Sequence, residues 1–163
     1  MIKMIYFNMF LWVDPWIRKL WFALIDKNKQ IFELWALINE IDGWREDNIR
    51  RMKDISDFFD DILKKYDIKS VCIEKLFFTE FNKGNAEFVY GVRWLLMVKF
   101  YKKNIKIIEL SPKEIKKYIT WSWSASKLNM QKKVQKIFNL SKLPEPHDAA
   151  DALGMAYIAK MLN

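Results

Sequence analysis

The apolar positions along the chain fall into two kinds of run. Short continuous runs at 9–13, 20–26 and 31–38 have strand length and read as strands buried in a sheet. Lys27, Asn28 and Lys29 turn the second run into the third, and connections this short predict an antiparallel meander. Over 47–66, Ile49, Met52, Ile55, Phe58, Phe59, Ile62 and Leu63 recur at helical spacing, which predicts an amphipathic helix. Two further buried strands are expected at 70–74 and 105–110, with a helix over 86–101 between them. A helical crossover makes such strands parallel.

The last third reads as helical. Ser111-Pro112-Lys113-Glu114 offers a capping serine and a proline at the first helical position. Ser124 or Ser126 caps the next helix, expected to run through about Phe138. Leu143-Pro144-Glu145-Pro146 is a stiff connector to a final helix over 147–162. The expected fold is α/β in a single domain spanning 1–163: a mixed five-stranded sheet with helices on both faces.

Four carboxylates stand out against this pattern. Asp14 and Glu74 each end a run read as a buried strand. Asp148 and Asp151 lie three apart in the final helix, on one face. Burying an unpaired carboxylate is costly, so acids at strand ends call for a countercharge. Hard cations such as Mg²⁺ prefer oxygen ligands, and paired ions clamp the attacking and leaving oxygens of a phosphodiester. Taken singly, each acid has a plain alternative: Asp before Pro forms turns, and acids at a helix start complement its dipole.

Composition narrows the partners. The 163 residues suffice for one domain with a real core, and the net charge of +8 favours a polyanion. The single cysteine, Cys72, lies in an apolar strand and excludes a disulfide framework. No stretch reaches the roughly 18 uninterrupted apolar residues of a membrane span. The first residues carry Lys3 and no small-residue cleavage site. A cytoplasmic protein with no membrane partner is expected.

Asp14-Pro15 after the first strand, Ile73-Glu74 followed by Phe77, the stretch Ser122 to Lys127, and Asp148-Ala149-Ala150-Asp151-Ala152-Leu153 occur in this order. In these residues the chain resembles the RuvC-type Holliday-junction resolvases, over roughly residues 9–161. The resemblance implies a ribonuclease-H-like fold, with strands 4 and 5 parallel to strand 1, and a structure-selective endonuclease that cuts four-way DNA junctions in recombination and repair. It implies that Asp14, Glu74, Asp148 and Asp151 are catalytic and hold two Mg²⁺ ions, with Mn²⁺ an alternative. Hydrolysis would leave a 3′-hydroxyl and a 5′-phosphate.

By the same resemblance, Lys116 and Lys127 contact the scissile phosphate or its neighbour. Arg93 matches a family arginine and is read as DNA-binding or, equally, as structural. Phe77 matches an aromatic that stacks on unpaired bases. His147 either assists a metal ligand or a water, or is simply a polar helix start. A homodimer is implied, because a four-way junction has two-fold symmetry. The apolar helix over 86–101 is its expected interface, although a helix buried within one chain would look the same. A branch-migration helicase complex is the implied protein partner. A ribonuclease-H-like nuclease with another substrate and a non-cutting nucleic-acid-binding relative remain open. A nucleotide-dependent phosphotransferase lacks its glycine-rich loops here.

The chain departs from the family in one residue type. Trp12, Trp16, Trp21, Trp94, Trp121 and Trp123 stand where the family has glycine. The chain has eight tryptophans and four glycines, together close to the share usual for glycine alone, about 7%. A gene whose UGA codons mean glycine, decoded with UGA as tryptophan, would give this composition; genuine core or DNA-stacking aromatics are the alternative. The family also begins only a few residues before its first acid. Met9 is therefore a candidate native start, and 1–8 otherwise an extension.

Overall fold

The computed structural model describes residues 6–15, 19–38, 45–75 and 83–163. In chain order the elements are β1 (Tyr6–Asp14), β2 (Lys19–Asp26), β3 (Ile31–Ile38), α1 (Arg45–Lys65), β4 (Tyr66–Glu74), α2 (Lys83–Lys102), β5 (Lys106–Leu110), α3 (Pro112–Thr120), α4 (Lys127–Phe138) and α5 (His147–Met161). One sheet has the order β3-β2-β1-β4-β5. β1–β2 and β2–β3 are antiparallel, and β4 runs parallel to both β1 and β5. This is the mixed sheet expected from the sequence.

The two faces of the sheet carry separate cores. Met9, Leu11 and Val13 of β1 join Phe22, Val71 and Ile73 beneath α1 and α2, where Ile55, Phe59, Leu96 and Phe100 close the layer. Phe10, Trp12, Ala23 and Cys72 face the other way, onto Ile119, Val134, Leu153 and Ala156 of α3, α4 and α5. α5 lies close to the sheet because its buried face is built of small residues, among them Ala149, Ala152, Ala156 and Ala159. Ser70 ties the layers together, its hydroxyl donating to the Ala159 carbonyl at 2.6 Å. Burial pushes the Cys72 thiol up to about 12, so it is a protonated core residue.

Two irregularities in the centre of the sheet decide which way side chains point. Tyr6 pairs with Tyr66, Met9 with Ile68 and Phe10 with Ser70. One extra residue thus lies in β1 and one in β4. In β1 it falls beside Asn8, whose φ is 58°. A one-residue shift exchanges the faces of everything beyond it. Ser70 and Cys72 therefore point to the α5 side, although Tyr66 and Ile68 point to the α1 side.

β4 corrects the expected boundaries: the helix was to include Tyr66 and the strand to begin at 70, yet the strand starts at Tyr66 itself. Its ring packs on Tyr6 and Phe32, and its hydroxyl donates to Glu33 at 2.9 Å. These tertiary contacts outweigh the local helical spacing. The capping box at Ser111 and Glu114 is formed as expected, and Ser126, not Ser124, caps α4. No helix among the described residues is long and apolar enough to cross a membrane.

Candidate active site

β1 and β4 end side by side. Val13 pairs with Ile73, so the next residues, Asp14 and Glu74, emerge from neighbouring parallel strands about 4.8 Å apart. By alternation both lie on the side of Trp12 and Cys72, the side covered by α5. There Asp151, one turn on from Asp148 in α5, lies close enough to Glu74 for their charges to interact.

The electrostatics link Glu74 to Asp151, and Asp151 to Asp148. The Glu74 carboxyl is pushed up first by burial and then by the charge of Asp151. The Asp151 carboxyl is pushed up by desolvation and by Asp148, and drawn back by Lys127, His147 and Lys116. A cleft of about 130 Å³ is lined by Glu74 and Asp151 together with Lys116 and Lys127. Its remaining walls include Ile115, Met130 and Met155, so apolar side chains border the charged groups, although Asp151 and Lys127 stay exposed to solvent.

The donors are all carboxylate oxygens, the set that suits a hard divalent cation. Their mutual repulsion is the condition that a bound cation relieves. Among the described residues no three acid, histidine or cysteine side chains already stand close enough to hold an ion. The ligands would have to draw together on binding.

Arg93, expected on DNA or in a structural role, occupies the structural place. It is buried. Its Nη1 donates to the main-chain oxygen of Glu74 at 3.0 Å, and its Nη2 to the Glu109 carboxylate. Glu109 was not singled out in the sequence; the one signal was an acid between the apolar Ile108 and Leu110 of a five-residue strand. Phe77 lies outside the described residues.

The tryptophans occupy dissimilar sites, and Trp16 and Trp44 lie outside the described residues. Trp12 is buried, and its indole N–H has no hydrogen-bond partner. Trp121 ends α3 in the left-handed conformation, φ 63° and ψ 14°, with its side chain 77% exposed. That conformation favours glycine and strains a side chain. Trp94 and Trp123 are also exposed, the latter beneath the Lys117 ammonium at 4.3 Å.

Comparison with known proteins agrees with this architecture. A RuvC from Pseudothermotoga lettingae is 33% identical over 146 residues, 89% of each chain. One from Thermotoga petrophila is 35% identical over 108 residues, 66% of this chain, and the match spans 65% of that relative's length. The structure of Thermus thermophilus RuvC in complex with Holliday junction substrate superposes with a TM-score of 0.76 at 19% identity, over 91% of this chain and 90% of the other. Residues 10–159 match the family model of crossover junction endodeoxyribonuclease RuvC, and the chain belongs to that family.

Proposed function

We propose that the protein is a divalent-metal-dependent endonuclease that cuts four-way DNA junctions. The observation that carries this reading is the presence of Glu74 and Asp151 in one cleft with Lys116 and Lys127. Carboxylates and lysines so placed suit a phosphodiester: the lysines attract it, and the acids repel it unless a cation intervenes.

Asp14, Glu74, Asp148 and Asp151 would hold the metal, Mg²⁺ or Mn²⁺. A divalent ion there supplies a water that ionises near neutral pH and a countercharge for the leaving oxygen. Lys116 and Lys127 bind the phosphate and offset the charge that develops on it. Arg93 fixes the main chain beneath Glu74, so the carboxylate is held at the rim of the cleft. Met130 and Met155 give the cleft an apolar wall beside its charged groups. His147 stands close enough to Asp151 to lower its proton affinity, and acts through that acid. Family resemblance supplies the rest: cleavage to a 3′-hydroxyl and 5′-phosphate, Phe77 on unpaired bases, a branch-migration helicase complex as partner, and a cytoplasmic setting.

Symmetric cutting needs two copies. Tyr90, Trp94, Val98 and Tyr101 of α2 are exposed large apolar side chains at spacings of four, four and three, one stripe of the helix. Exposed stripes of this kind mark association surfaces, and α2 is the surface we assign to a homodimer.

Cleavage of a synthetic four-way junction, with and without Mg²⁺, tests the function. Paired nicks that need the ion and vanish in Glu74→Gln are expected. Equal cutting of plain duplex or of an RNA–DNA hybrid would overturn the junction assignment, and ion-independent nicks would overturn the metal.

A further inference from the structure

We propose that the outer face of α4 is a second phosphate-binding site, which holds the backbone of a DNA arm leaving the cleft. It rests on the DNA-cutting reading above and extends it to a surface that the acids do not reach.

α4 has two working faces. Met130 and Val134 are buried against the core, and Lys127 and Met130 line the acid cleft. Asn129, Lys132, Lys133 and Lys136 recur at intervals of three, one and three and cover the opposite side of the helix. With Thr120 and Ser122 they line a concavity of about 220 Å³. Lys132 and Lys136 are exposed and Lys133 is half-buried.

No acidic side chain among the described residues lies within 4.0 Å of any of the three lysines. Like charges three and four apart on a helix repel, and an anion in the concavity offsets that repulsion. The wall beside them is held in advance. Thr120 Oγ1 donates to the Lys116 carbonyl at 2.7 Å and accepts the Ser122 amide at 3.2 Å. Those hydrogens are spent within the wall, so the phosphate oxygens fall to the three lysines, whose ammonium groups are phosphate donors. The ligand we assign is the phosphodiester backbone, which lysines bind through its charge without reading sequence.

The distance fits a strand already held in the cleft. From Lys127 to Lys133 the helix rises about 9 Å, and crossing to its far side adds about 10 Å. A duplex arm advances about 3.4 Å per step along one strand. The second site therefore meets the backbone a few nucleotides from the scissile bond.

The test is the salt dependence of binding to a labelled four-way junction and to a plain duplex, without divalent ions so that nothing is cut. Each phosphate contact contributes about 0.9 to the slope of log affinity against log salt. The triple variant Lys132→Gln, Lys133→Gln, Lys136→Gln is expected to lower that slope by about 2–3, and Lys136→Gln alone by about 1. Cutting by saturating protein is expected to keep its rate and position. A control removes two exposed lysines from the far end of the sheet, Lys102 and Lys103, and is expected to leave the slope near that of the parent. An unchanged slope in the triple variant overturns the proposal, as does an equal fall in the control. A parent protein that binds junctions but cuts none would overturn the nuclease reading instead, while the slopes would still decide the second site.

Discussion

The Nη1 of Arg93 lies 3.0 Å from the main-chain oxygen of Glu74. A buried cation on α2 thus holds the strand end that presents Glu74, and a residue from one face of the sheet supports the candidate site on the other. Arg93→Met would leave that carbonyl without its donor and Glu109 without its partner. Losing a charged donor to a buried acceptor costs about 1.5–3 kcal/mol, so urea unfolding is expected to show a loss of about 2 kcal/mol. Cleavage should fall further than the unfolded fraction explains. Arg93→Lys, which keeps one charged donor, should recover part of both.

The raised carboxyls of Glu74 and Asp151 make a pH prediction. Both groups bind protons more readily in the folded chain than in the unfolded one. Their contribution to stability is therefore present at low pH and is lost as pH rises from the ordinary carboxylate range, about 4, through their raised values. In ion-free buffer, Glu74→Gln is expected to flatten that part of the stability–pH curve and to exceed the parent above it. An unaltered curve would remove Glu74 from the charge cluster.

A divalent ion reverses the same repulsion. At a hundredfold excess over its dissociation constant, a ligand stabilises by about 2.7 kcal/mol, which shifts the melting temperature of a chain this size by about 5–10 °C. Mg²⁺ is expected to raise the melting temperature of the parent and to have little effect on the double variant Glu74→Gln, Asp151→Asn. Equal shifts in both would place the ion elsewhere.

Trp121 offers a test of decoding. Its left-handed backbone costs a side chain about 1–2 kcal/mol that glycine does not incur. Trp121→Gly is expected to stabilise the protein by about 1 kcal/mol in urea unfolding, the reverse of most tryptophan truncations. The coding DNA gives a second readout. UGA at positions 12, 16, 21, 94, 121 and 123 would make these native glycines, and UGG would make them true tryptophans.

The α2 stripe predicts that Trp94→Glu yields a monomer by sedimentation, with the far-ultraviolet circular dichroism of the parent, because Trp94 is 59% exposed in the single chain. If Trp94 is itself a decoded glycine, Tyr90→Glu serves the same purpose. A sedimentation profile untouched by both would move the interface off this helix.

Much of this fold is legible in the sequence because its signals are local. The run of β3 (Ile31–Ile38) matches the expected 31–38, since polar turn residues bound it. Ser111, Pro112 and Glu114 announce α3 by cap chemistry alone. The lower half of β4 was not legible. Asp67 and Lys69 interrupt its apolar pattern, and only the distant Tyr6, Phe32 and Glu33 explain why Tyr66 is a strand residue. Glu74 and Asp151 could be expected to face one cleft, which both line, because strand ends and helix faces follow from periodicity. The burial of Arg93 against Glu109 could not, since nothing near either residue in the chain records the other.

The paired bulges beside Asn8 and near Lys69 carry one more consequence. Below them Tyr6 and Tyr66 anchor both strands in the aromatic layer under α1; above them the same strands deliver their acids to the opposite layer. Removing a residue from one strand alone would force its foot or its tip to face the wrong way, while removing one from each would keep the strands in step. Length changes in these two segments should therefore survive only as matched pairs, so that the spacing of the chain, as much as the identity of its acids, is under constraint.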